Sequence, residues 1–95
     1  MKSILQKEKR CYFCGTTQNL HLHHIYHGMA NRNKSDKHGF TVYLCGYHHN
    51  LGGNGKCVHK SREMDLILKR ACQAKYEETH TREEFMAIIG KNYLD

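Results

Sequence analysis

The most regular hydrophobic pattern in the chain begins near Lys60, where Met64, Ile67, Leu68, Ala71 and Cys72 recur at helical intervals with charged residues between them. Apolar positions at that spacing form one stripe, which predicts an amphipathic helix from about Lys60 to about Glu78. Cys72 lies within the stripe and belongs to the core. Further on, Thr81 and Glu84 precede the apolar set Phe85, Ile88 and Ile89, with Gly90 directly after it. This is the spacing of a capping box and a glycine stop, and it predicts a short second helix packed on the first. The earlier part of the chain has a period of two. "NLHLHHI" puts Leu20 and Leu22 on one face of a short strand, and "FTVYLC" gathers the β-formers Phe40, Thr41, Val42 and Tyr43 into a second. Between the strands, "GMANRNKSDKHG" is polar and reads as a loop bounded by Gly28 and Gly39, and "NLGGNGK" (residues 50–56) is a further break. The order strand, loop, strand, helix, helix describes one α+β domain over residues 1–95, without repeats or linkers.

Composition limits how such a domain can be stabilised. A chain of 95 residues buries on folding only roughly 60 to 65 per cent of its unfolded surface, so its core is thin and a metal would help. The mean hydropathy of −0.77 and the absence of Pro and Trp suit a polar soluble domain. The opening "MKSILQKEKR" has no apolar run of signal-peptide length, and no stretch reaches the roughly 20 apolar residues of a membrane span. The expectation is therefore an intracellular, cytoplasmic protein with no membrane partner. The net charge of +6 is spread in clusters, among them Lys7, Lys9 and Arg10, then Arg32, Lys34 and Lys37, then Lys60 and Arg62. A polyanion is the partner such a surface suits.

Five cysteines and nine histidines change the picture. The odd number of cysteines and the pair Cys11-x-x-Cys14 favour metal over a disulfide framework in a reduced compartment. Two thiolates on a tight turn, with Gly15 directly after, can grip one tetrahedral ion from the same side. Cys45-x-x-His48 repeats the spacing with an imidazole in the last place. Together Cys11, Cys14, Cys45 and His48 make a Cys3His set for structural Zn2+, with His49 or Cys57 as alternatives for the fourth position. A thioredoxin-like redox pair would sit at a strand-to-helix turn in a βαβ pattern, and none is visible. A C2H2 finger needs about twelve residues between its second Cys and first His, more than separate Cys14 from His23. His23, His24, His49 and His59 remain beyond the four ligands that a structural zinc takes, so a second metal site is predicted. His21, His27 and His38 read as surface or loop histidines.

The succession Cys11-x-x-Cys14, then "HHI" at residues 23–25, then "YLCGYHHN" at residues 43–50 resembles the HNH endonucleases, over roughly residues 11–78. Among them it is similar to the compact HNH proteins of phages and mobile elements. The resemblance implies a ββα-metal core, two strands and a helix around one catalytic divalent ion. Residues 1–10 would be a basic lead-in to that zinc-held core and residues 79–95 a C-terminal helical extension. It further implies that His23 binds the catalytic ion, that His24 is the general base activating water, and that His49, His59 or both complete the metal site. The middle Asn of the family would stand just before "TVYLC", where this chain has Phe40, so Asn31 and Asn33 are the substitutes. A site of neutral imidazoles suits Mg2+, Mn2+, Ni2+ or Zn2+ as the catalytic ion. The implied reaction is hydrolysis of DNA phosphodiester bonds, by a monomer that nicks or a homodimer that cuts both strands. Arg32, Lys34, Lys37, Lys60 and Arg62 would hold the flanking phosphates without reading bases. The alternative is a zinc-stabilised module that binds nucleic acid or protein without cutting. One geometric tension accompanies these roles: neighbours on a strand point to opposite faces, so His23 and His24 address one centre only if the strand ends or twists there.

Overall fold

The computed structural model describes residues 3–51 and 57–94. In chain order they form strand β1 (Leu20–His24), helix α1 (Met29–His38), strand β2 (Thr41–Cys45), a π-helical turn (Tyr47–Leu51), a 3-10 turn (Val58–Lys60), helix α2 (Arg62–Tyr76) and helix α3 (Arg82–Ile89). This mixture of helices and one two-stranded sheet is the α+β class expected. The two strands pair antiparallel, with Leu20 opposite Cys45 and His24 opposite Thr41. Most of the "NLGGNGK" break, residues 52–56, lies outside the described residues. Among the described residues, no helix is long and apolar enough to cross a membrane.

The segment between the strands corrects one expectation, because it is helix α1 and not a loop. Periodicity misses this helix since it has no apolar stripe, and among its described side chains only Ser35 is buried. A helix polar on nearly every side is held by specific polar contacts. The Ser35 hydroxyl donates to the Tyr26 carbonyl at 2.7 Å and accepts from the Tyr26 amide at 3.2 Å. Gly28 and Gly39, which looked like loop boundaries, frame the helix with φ of 96° and 76°, values that a side chain would strain. The Gly39 amide closes the last turn on the Ser35 carbonyl.

The basic lead-in is also more than a tail. It runs along the outer edge of β2: the Ile4 amide donates to the Gly39 carbonyl at 2.9 Å, the Tyr43 amide donates to Gln6 Oε1 at 2.7 Å, and the Ser3 hydroxyl donates to the Thr41 carbonyl. The backbone of an edge strand is thereby satisfied inside the chain. β2 is buried at Thr41, Val42, Leu44 and Cys45, the last three of them in the core cluster.

Helix α2 starts where Ser61 caps it, its side chain accepting from the Met64 amide, and buries Leu68, Cys72, Gln73 and Tyr76. Thr81 and Glu84 form the reciprocal capping box that their spacing predicts, and α3 buries Phe85 and Ile89. The centre of the core is aromatic. Tyr26 meets Phe40 at 5.5 Å and Phe85 at 5.4 Å between ring centroids, while Phe40 meets Tyr76 at 5.5 Å, all edge to face. Such edge-to-face pairs add to the burial of the rings themselves. Tyr26 also donates its hydroxyl to the Lys69 carbonyl at 2.7 Å, which ties the end of β1 to α2.

Candidate metal centres

The first centre is assembled by two turns. Gly15, at φ 78°, lets the chain fold back after Cys14, and the turn closes through the Gly15 amide on the Cys11 carbonyl at 2.9 Å. The Tyr12 amide then fastens this turn to the Tyr43 carbonyl of β2 at 2.9 Å. The π-helical turn after β2 brings His48 back over Cys45. As a result, the ligand atoms of Cys11, Cys14, Cys45 and His48 lie within 4.8 Å of one another. Cys14 Sγ is 3.8 Å from Cys45 Sγ, and His48 Nδ1 is 3.2 Å from Cys45 Sγ and 3.7 Å from Cys11 Sγ. Tetrahedral zinc, with Zn–S of about 2.3 Å and Zn–N of about 2.0 Å, requires edges of roughly 3.5 to 3.8 Å. The donor set therefore fits zinc, and the ligand atom that stands with the three thiols is that of His48 rather than of His49 or Cys57. Cys57 is fully buried at the start of the 3-10 turn. Burial pushes the Cys11 thiol up, but hydrogen bonds to the backbone at Cys45, Cys14 and Phe13 outweigh it and bring the thiol down to about 6, toward the thiolate that a metal needs.

The second centre joins three elements that are separate in sequence: His23 from β1, His49 from the π-helical turn and His59 from the 3-10 turn. His49 Nε2 stands 3.0 Å from His59 Nε2. The His23 ring lies 5.4 Å from that of His49 and 5.5 Å from that of His59, centroid to centroid. His23 is 4% exposed, and its Nε2 is buried without a hydrogen-bond partner. An unsatisfied buried nitrogen is costly and calls for an explanation, and a metal ion in front of it supplies one. Burial, with the neighbouring rings of His49 and His59, holds His23 down at about 3, and burial with the rings of His59 and His21 lowers His49 as well. Both are therefore neutral near pH 7 and have a lone pair to give. The residues present fit a divalent ion. One short turn thus serves both centres, with His48 in the first and His49 in the second.

The remaining expected residues are distributed around this pair. His24 is the last residue of β1, so it occupies the strand end that the geometric tension required. Its side chain is 17% exposed, and its Nε2 lies 3.7 Å from Asp36 Oδ1 of α1. Asn31 and Asn33 ride on the same helix, but the side chain that pairs with His24 is Asp36. Arg32, Lys34 and Lys37 also belong to α1, with Arg32 and Lys37 exposed and Lys34 partly so. Lys60 and Arg62 are exposed on either side of the α2 cap. With His27, His59 and Asp65 they line an open depression of about 400 Å³.

Three participants escape the sequence reading. His21, expected to be a surface residue, is half-buried and places Nδ1 at 2.9 Å from His49 Nδ1. His27, expected to be a loop residue, pairs with Asp65 at 3.5 Å, and the second oxygen of that carboxylate receives Lys69 Nζ at 2.7 Å. Asp36 is the third. For His21 a signal was present, since His21 and His23 stand two apart on a strand and share a face. No family model, curated protein or solved structure matches the chain.

Proposed function

We propose that the chain is a metal-dependent endonuclease of the HNH kind that hydrolyses DNA phosphodiester bonds, with β1, β2 and α2 forming a ββα-metal core around the three-histidine centre. The observation that carries the reading is the orphaned, buried Nε2 of His23 converging with His49 and His59, in a chain where Cys11, Cys14, Cys45 and His48 already offer a complete four-ligand set for a structural zinc. A centre of neutral imidazoles leaves the charge of its ion uncompensated. Bound there, Mg2+, Mn2+, Ni2+ or Zn2+ would offset the charge that builds on a phosphate and its leaving oxygen.

The chain itself would supply the proton transfer and the grip. His24 is the residue that takes a proton from the attacking water, an imidazole being suited to that task near neutral pH. Asp36 gives the ring a partner on α1, in the role that the family pattern assigns to Asn and for which Asn31 and Asn33 were the candidates. Arg32, Lys34 and Lys37 on one side and Lys60 and Arg62 on the other would hold the phosphates that flank the cut. Contacts of this kind are independent of sequence and weaken with salt.

The test is conversion of supercoiled plasmid to nicked and linear forms with Mg2+, Mn2+, Ni2+ or EDTA, with His24→Ala and His23→Ala run in parallel. Metal-dependent nicking is expected, and His24→Ala should lower its rate by roughly 10²- to 10⁴-fold, the usual worth of a general base, while zinc content and DNA binding persist. If no metal supports cutting while the chain still retains zinc and shifts DNA in a gel, a non-catalytic binding module replaces the enzyme.

A further inference from the structure

We propose that His21 is the positioning residue of the three-histidine centre, holding the ring of His49 so that its Nε2 faces the ion. The inference rests on that centre binding a divalent metal, but not on the chain cutting DNA. His49 is engaged at both ring nitrogens: Nε2 stands 3.0 Å from His59 Nε2, and Nδ1 stands 2.9 Å from His21 Nδ1. A neutral imidazole carries one N–H. If Nε2 gives its lone pair to a metal, the proton must sit on Nδ1 and be donated to His21 Nδ1, whose own proton is then on Nε2. No other arrangement of the two protons satisfies both the metal and the hydrogen bond. With the ion bound, His21 therefore accepts the Nδ1 proton of His49, which supports that tautomer and holds the ring's orientation.

The local structure explains why His49 needs this help. His23 stands on a strand whose register against β2 is fixed, facing Val42. His49 stands on a five-residue π-helical turn, which provides no comparable ladder. His21 transfers the rigidity of β1 to that turn. It faces Leu44 across the sheet and shares the strand face of His23, and its ring meets that of His49 edge-on at 83° with centroids 5.0 Å apart. His21 is not itself among the three residues whose ligand atoms converge, so it acts through His49.

The experiment loads the Cys3His centre with one equivalent of Zn2+ and then titrates Co2+ alone into the wild type, His21→Ala and His21→Asn. Asn carries an acceptor oxygen on the same carbon as the lost Nδ1 and can receive the His49 proton. Loss of an outer partner of this kind weakens metal binding by roughly 10- to 100-fold. The expected result is that fall for His21→Ala, recovery of most of it by His21→Asn, and an unchanged first zinc equivalent in both. Equal Co2+ affinity in His21→Ala and the wild type overturns the proposal, as does an Asn variant as weak as Ala, or loss of the first zinc, which would mark a general structural role. A wild type that takes no second equivalent overturns the three-histidine centre itself, and His21's role with it.

Discussion

Acidification should reveal the state of His23 before any substrate is found. The group titrates at its ordinary value of 6.5 when unfolded and at about 3 in the folded chain, because burial, with the rings of His49 and His59, disfavours the imidazolium. Between these values the unfolded chain binds a proton that the folded chain refuses, so stability falls as pH falls through the window. The contribution is complete above 6.5 and is lost toward 3. Each pH unit inside the window is worth about 1.4 kcal/mol, so going from pH 7 to about pH 4.5 costs about 3 kcal/mol through this one residue. His49, lowered for a related reason, adds in the same direction. A domain of this size has about 5 to 15 kcal/mol in total, so the loss is a large share. The measurement is urea unfolding of the zinc-loaded chain, without further metal, followed by tyrosine fluorescence at several pH values, for the wild type and His23→Gln. Acid also weakens thiolate binding at the Cys3His centre, but it does so in both proteins. The stability difference between the two should therefore shrink by about 3 kcal/mol across the window, as the wild type alone loses the benefit. A difference that stays constant from pH 7 to about pH 4.5 refutes the buried, neutral His23 on which the second centre depends.

Three substitutions test the rest of the framework. Cys45→Ala removes a shared edge of the Cys3His set; structural zinc is worth about 10 to 16 kcal/mol in small domains, so cooperative thermal unfolding should disappear together with the bound zinc, and a cooperative melt without zinc would contradict the structural role. Phe85→Ala empties a fully buried position against Tyr26, Phe40 and Tyr76 and should cost about 3 to 5 kcal/mol in denaturant unfolding; a loss below about 1 kcal/mol would mean that α3 does not close the core. Thr81→Ala breaks the capping box of α3, which should cost about 1 kcal/mol and lower Tm by roughly 4 to 8 °C, with an unchanged Tm as the opposing result.

What the sequence discloses here depends on how local the determining contact is. The Cys3His ligands are two pairs at three-residue spacing, each closed within its own turn, and both pairs are visible in the chain before any fold is known. The helices α2 and α3 are legible for the same reason, since the stripe through Leu68 and Cys72 and the Thr81–Glu84 box are properties of one element. Helix α1 fails that criterion. It is held by Ser35 reaching Tyr26, a contact with no hydrophobic signature, and only Gly39 and the basic last turn of Lys37 and His38 mark it. Strand β1 misleads more instructively. Its alternation is plain and Leu20 does pack against the core, but hydropathy would turn Leu22 inward with it, whereas Leu22 is 45% exposed and His23 is 4% exposed.

The exchange of Leu22 for His23 on the inward face occurs where three imidazoles converge. A buried imidazole is costly only while its nitrogen is unpaired, and converging ligands with an ion between them remove that cost. Where metal centres replace hydrophobic packing, ligand spacing outranks hydropathy in deciding which face of a strand turns inward. Both histidines of the H-x-H step in "HLHH" lie on that inward face, His23 among the three converging rings and His21 against the ring of His49. That spacing can be read as a site only once His49 is known to lie opposite, and this is settled by the π-helical turn rather than by anything within the strand.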